Sequence, residues 1–103
     1  MWAQLIKARV KPGREPDMAK VHETVQANEQ PGSGLLRTIM MRDQKDPRSF
    51  YTLVIFESED KARAREKDPR RQEAMEVVRA TFADALESPP EFVDLTDIQD
   101  VSP

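Results

Sequence analysis

The chain contains no cysteine, one histidine, one tryptophan and only three glycines. Each shortage closes off a class of function. Without cysteine there is no disulfide framework, no thiol nucleophile and no thiolate metal site. With His22 as the sole histidine, any Ser-His-Asp arrangement has a single candidate base. No glycine-rich phosphate loop is present. No apolar run approaches the roughly 20 residues that a membrane-spanning helix needs. The segment Met1-Trp2-Ala3-Gln4-Leu5 lacks the basic start and long apolar stretch of a signal peptide. The expectation is a soluble cytoplasmic protein with no membrane partner. The net charge is −3, from 16 Lys and Arg against 19 Asp and Glu, which suits solubility and gives no basis for a nucleic-acid partner.

What is present is one domain's worth of chain, 103 residues, with room for a single core. Its most informative segment is Phe50-Tyr51-Thr52-Leu53-Val54-Ile55-Phe56. A strand buried on one side alternates apolar and polar residues, and this one does not. Phe50, Val54 and Phe56, with Thr52, fall on one face; Tyr51, Leu53 and Ile55 fall on the other. Both faces need cover.

The rest of the chain supplies strands and helices in a recognisable order. Trp2 to Val10 reads as a strand with Trp2, Ile6, Ala8 and Val10 facing one way, closed by Lys11-Pro12-Gly13. A helix is expected from about Pro16, with Met18, Val21, Val25 and His22 along its apolar stripe, ending by Gln30-Pro31-Gly32-Ser33-Gly34. Leu35 to Arg42 reads as a second strand, with Leu35, Ile39 and Met41 opposite Leu36 and Met40. A polar connection over 43–48 then leads into the strand above. Ser58 to Lys67 is charged enough to form a short exposed helix. Asp68-Pro69 is the start signal of a longer one, with the stripe Met75, Val78, Phe82 and Leu86. Ser88-Pro89-Pro90 ends it, and Phe92 to Leu95 reads as a fourth strand before an acidic tail over 96–103.

Strand, helix, strand, strand, helix, strand is the split ferredoxin-like βαββαβ unit, an α+β fold with a four-stranded antiparallel sheet. Residues 1–95 are expected to form that single domain. Helices on one face leave the other bare, and an exposed apolar face marks an interface. A second copy related by a twofold axis hides both faces with one contact. The chain is therefore expected to be a homodimer, with Tyr51, Leu53 and Ile55 in the interface.

Several short motifs carry a family resemblance. Val10-Lys11-Pro12-Gly13, Glu29-Gln30-Pro31-Gly32-Ser33, Phe56-Glu57-Ser58-Glu59-Asp60 and Asp68-Pro69 before a long amphipathic helix resemble, in order and spacing, the antibiotic biosynthesis monooxygenase-like domains of the dimeric α/β-barrel superfamily. The resemblance spans nearly the whole chain. It implies a dimer of sheets packed face to face into a barrel, with a mostly apolar pocket between sheet and helices in each subunit. It also implies two chemistries, cofactor-free oxygenation of polyaromatic substrates and oxidative haem degradation. The residues that serve them in relatives are not matched. Phe56 stands where many members have a pocket tryptophan, and Thr52 where quinone-forming members have asparagine. Ile6 lies near the asparagine position of haem-degrading members, and Arg70 and Arg71 lie where those members have a histidine ligand.

The resemblance thus makes Ile6, Thr52 and Phe56 candidate ligand-pocket residues and leaves the catalytic residues unassigned. His22, the sole histidine, reads first as a residue at the edge of the helix stripe beside Met18, and is the fourth pocket candidate as an acid/base or ligand contact. Trp2 reads more readily as core or interface than as a stacking platform. Lys61, Arg63, Arg65, Lys67, Arg70 and Arg71 are interleaved with acidic residues and lack aromatic neighbours, so they read as a solvated helical face. Glu91, Asp94, Asp97 and Asp100 recur every third residue without the loop of a calcium site, so no metal and no cofactor is expected. The functional expectation is a dimer that binds a small hydrophobic or aromatic molecule. The alternative is a cofactor-free monooxygenase acting on an electron-rich aromatic, with His22 or an arginine stabilising the substrate anion.

Overall fold

The computed structural model describes all 103 residues. Its elements run β1 (Trp2–Arg9), α1 (Pro16–Ala27), β2 (Leu35–Arg42), β3 (Ser49–Phe56), α2 (Glu59–Lys67), α3 (Pro69–Ala85) and β4 (Glu91–Leu95). The four strands form one antiparallel sheet in the order β2-β3-β1-β4, the ferredoxin-like arrangement. Local chemistry sets the helix starts. Pro16 opens α1 and Pro69 opens α3, each in the first turn where a missing N–H costs nothing. The Ser58 hydroxyl accepts from the Lys61 amide and caps α2, and the Asp68 carboxylate accepts from the Arg70 amide and caps α3.

Register decides which side chains meet the helices. Trp2, Ile6 and Ala8 of β1 pair with Phe56, Thr52 and Phe50 of β3, and this face packs under the helices. One buried cluster joins Ala8, Val10, Phe50 and Leu86 to Met18 of α1. A second joins Trp2, Val54 and Phe56 to Ala62 of α2. Val10 has no exposed surface. Only 15 of the 103 residues are buried, a thin core that leaves apolar side chains half-covered on both sides of the sheet.

Two details depart from the sequence reading. A bulge between Leu35 and Arg37 shifts the register of β2 against β3. The extra residue turns Leu35 onto the helix face, where it packs against the Trp2 cluster, so it shares a side with Met40 and not with Ile39 and Met41. Leu86, placed by its spacing on the last helix, lies beyond it in extended conformation and bridges to Val10. The prolines that follow prevent another turn, and Glu87 donates its amide to the Arg9 carbonyl at 2.9 Å. Leu86 still enters the core, from a strand-like segment.

An ion cluster ties that end of the sheet together. Arg9 contacts Asp46 at 2.8 Å and Glu87 at 2.6 Å, and Arg48 contacts Glu87 at 2.7 Å. The Arg9 guanidinium, then the Ser49 hydroxyl, hold the Asp46 carboxyl at about 2, well below the ordinary aspartate range. The partners of Glu87, Arg9 first, push it down as well. Asp68, held mainly by the Arg70 side chain, also sits at about 2. These depressed values stabilise the fold above the unfolded carboxylate range, and the contribution is lost as pH falls through the folded values. Thermal unfolding followed by circular dichroism is therefore expected to hold steady from neutral pH to about 5 and to weaken from about 4 toward 2. Asp46→Asn is expected to be less stable at neutral pH and to show a shallower acid decline; an unchanged acid profile would remove this cluster from the account.

Gly13 and Gly34 both have positive φ, 81° and 82°, and differ in surroundings. A Cβ on Gly13 meets nothing, whereas one on Gly34 would lie 2.8 Å from Lys61 Cβ, at the start of α2. Gly13→Ala is expected to cost about 1–2 kcal/mol for the left-handed backbone alone. Gly34→Ala is expected to cost at least about 1 kcal/mol more, because α2 must shift. Urea denaturation of the two variants measures the difference; equal losses would show that the approach of α2 is loose.

Candidate functional site

Between the helix-facing side of the sheet and the helices lies a cavity of about 860 Å³, within the range of small-molecule sites. Its floor is built by register. Met40, Thr52, Ile6 and Phe92 form a row across all four strands, and all four line the cavity. Val54 and Phe56 continue the floor toward Trp2, whose ring is tilted against that of Phe56 with centroids 6.1 Å apart. The Arg63 guanidinium lies over the Trp2 ring, 4.9 Å from its centroid, so Trp2 is held in the wall by contacts on its own side. Val21, His22 and Val25 of α1 and Met75, Val78 and Phe82 of α3 form the helical walls. Phe92 is 54% exposed at the rim.

Ile6, His22, Thr52 and Phe56 thus all lie on the wall of one cavity. Tyr51, Leu53 and Ile55 point to the opposite face of the sheet. There Leu53 sits in a row with Ile39, Leu5 and Val93, and Ile55 in a row with Arg37, Ala3 and Leu95. No cluster of His, Asp and Glu is arranged to hold a metal ion. Asp94 of the acidic series is engaged by Gln4 and Arg63.

The basic run divides into three environments, which corrects its reading as one solvated face. Arg63 and Arg70 make exposed ion pairs with Glu59, Glu66 and Asp68, worth little individually. Arg65 lines the cavity and is half-buried in a bidentate contact with Glu29, the shortest N–O distance being 2.6 Å. Burial opposes ionisation of Glu29, but its bonds from Arg65 prevail and its pKa is lowered. Arg71 is only 4% exposed and also lines the cavity. It makes no ion pair. Its Nη1 donates to the Arg65 carbonyl at 3.1 Å, its Nη2 faces the Met75 sulfur at 3.4 Å, and its Nε has no partner.

Arg71 is the residue that sequence reasoning missed. The charge alternation around it masked a second periodicity: Arg71, Met75, Val78 and Phe82 fall at the spacing of one helix face. Extending the apolar stripe of α3 back toward its Pro69 start would have placed an arginine on the buried side. Burial, and then the neighbouring Arg65 cation, lower its pKa from the ordinary arginine value. Its position in the first turn of α3 also sets it against the positive end of the helix dipole.

An α+β sheet with helices over one face and a cavity between them defines a ferredoxin-like architecture. A family model described as antibiotic biosynthesis monooxygenase matches residues 1–77, and the chain belongs to that family. A candidate antibiotic biosynthesis monooxygenase from Nitrosomonas europaea has the same fold at 19% identity, with a TM-score of 0.75 over 96% of this chain and 100% of that one. A similarly described protein from Chloroflexus aurantiacus is 21% identical, with a TM-score of 0.68 over 99% and 98%. A conserved protein from Methanosarcina mazei is 11% identical, with a TM-score of 0.73 over 92% and 91%. At these identities the likeness is one of fold. No functionally curated protein matches the chain.

A buried guanidinium without a counter-ion is a poor stabilising element. Arg71→Met, which keeps the length and supplies an apolar side chain, is expected to be as stable as the parent or more stable by up to about 3 kcal/mol in urea denaturation. A loss of more than about 1 kcal/mol would show that the Arg71 bond to the Arg65 carbonyl outweighs the burial of its charge.

Proposed function

We propose that the protein works as a homodimer in which each subunit holds a small hydrophobic or aromatic molecule in the cavity between sheet and helices. The observation that carries the reading is the cavity itself: about 860 Å³, walled mostly by apolar side chains, in a chain whose core is otherwise thin. Ile6, Thr52 and Phe56 form its floor and His22 its helical wall, and the binding of a ligand by these four is part of the proposal. The reading needs no cofactor.

The homodimer is supported by the opposite face of the sheet. Its two central rows, Ile39–Leu53–Leu5–Val93 and Arg37–Ile55–Ala3–Leu95, hold one charged residue among eight. The next row adds Met41 and Tyr51 and ends in Lys7 and Glu91. An apolar centre with charge at its margin is the pattern of a protein interface. Two such faces packed about a twofold axis close a dimeric α/β barrel, at about 25 cal/mol for each Å² of apolar surface buried. Tyr51, Leu53 and Ile55 are its proposed contacts.

A second reading, cofactor-free oxygenation of an electron-rich aromatic, draws support from family membership and from His22 on the wall of an apolar cavity. Fold alone does not carry that chemistry. Oxygen uptake with an anthrone above the spontaneous rate would bring it ahead.

Native mass spectrometry of protein freshly taken from a cell extract tests the main reading. The expected species is a dimer carrying a reproducible small-molecule adduct. Leu53→Asp, at the centre of the bare face, is expected to weaken the dimer about 100-fold or more while leaving the subunit folded. A monomeric parent, or a Leu53→Asp dimer of undiminished affinity, would remove the sheet-to-sheet assembly.

A further inference from the structure

We infer that the cavity takes an amphipathic carboxylate, with an apolar body over the Ile6–Thr52 floor and its carboxylate on the unpaired Nε–Nη2 edge of Arg71. The inference deepens the ligand-binding reading and rests on it.

The shape of the guanidinium favours a planar anion. The group is planar, and Nε and Nη2 share one edge with two parallel N–H donors, the edge that grips a carboxylate bidentately. In Arg71 only the other nitrogen, Nη1, has an oxygen partner, the Arg65 carbonyl. Nε has none, and Nη2 meets only the Met75 thioether, 3.4 Å away. A thioether is a weak acceptor on a flexible, unbranched side chain. Met75 therefore meets Nη2 without satisfying it, and since Met75 and Arg71 both line the cavity, a ligand that displaces the thioether is needed to engage this edge.

Charge points the same way. The carboxylates nearest Arg71 are committed elsewhere: Glu29 to Arg65 at 2.6 Å, Asp68 to Arg70 at 2.7 Å and Glu66 to Arg63 at 3.1 Å. No internal anion neutralises Arg71. A neutral ligand with a carbonyl could accept from Nε but would leave the charge unmatched, whereas a carboxylate answers both. A phosphate-like dianion is disfavoured, because Arg65, the neighbouring cation on the wall, is already neutralised by Glu29. The cavity is also far larger than a bare ion, and its sheet floor is mostly apolar. The class that fits is a hydrophobic molecule with one carboxylate, charged end toward the α2–α3 junction.

Isothermal titration of the full chain near neutral pH with naphthaleneacetate and naphthaleneacetamide tests this. The two probes share an apolar body and differ in charge. The acetate is expected to bind at least about tenfold tighter. Arg71→Met is expected to bring the two affinities within about twofold, chiefly by weakening the acetate. Arg71→Lys, which keeps a charge and loses the fork, is expected to retain only part of the preference. Equal affinities in the parent would overturn the inference and leave the ligand-binding reading standing. Failure of both probes at millimolar concentration would remove the two together. A full preference surviving in Arg71→Met, or in Arg71→Lys should the Met variant not fold, would place the anion elsewhere and overturn the assignment.

Discussion

The structure turns on a mismatch between strand and helix. Its two central strands, β3 and β1, carry apolar side chains on both faces, and the three helices lie over only one of them. Everything distinctive follows from how the two faces are served. On the helix side the cover is incomplete, and the two core clusters border a cavity instead of merging. On the other side no helix lies over the sheet, and Leu5, Leu53 and Ile55 are only half-buried. The two sides make separate demands, so the proposed ligand binding and the proposed assembly need not depend on each other.

Much of this was legible in the sequence because strand periodicity is a short-range property. The alternation within Phe50–Phe56 assigned each side chain to the face it occupies, and the Asp68-Pro69 pair marked the start of α3. The four residues expected at a pocket all reach one cavity, although their selection leaned on family resemblance as much as on chemistry. What failed was long-range or positional. The bulge that turns Leu35 inward depends on how β2 meets β3, and nothing within 35–42 announces it. Leu86 kept its helical spacing while the chain around it was already extended. The basic run was misjudged because charge alternation dominates its composition, whereas burial depends on which face of α3 meets the sheet.

Arg71 shows how cost and purpose can be read together. A cation that is buried, unpaired, beside another cation and at the positive end of a helix works against folding in four ways. An ordinary core position at that point of the stripe would hold Leu or Met. Arg65, one turn before α3, shows the contrasting case: its carboxylate partner makes its burial tolerable. The difference between these two arginines is the difference between a charge that the fold pairs internally and one that it leaves without a counter-ion.

The row Met40–Thr52–Ile6–Phe92 also has a kinetic meaning. Ile6 lies between Thr52 of β3 and Phe92 of β4, so the first strand acquires its outer neighbour only when a segment far along the chain returns to it. Such non-local pairing slows folding, and during synthesis β1 keeps an unpaired edge until residues 91–95 have left the ribosome. The cavity floor is finished by that same closing step. A molecule that binds the finished floor therefore recognises only chains that have completed their sheet, and its occupancy becomes a readout of folding.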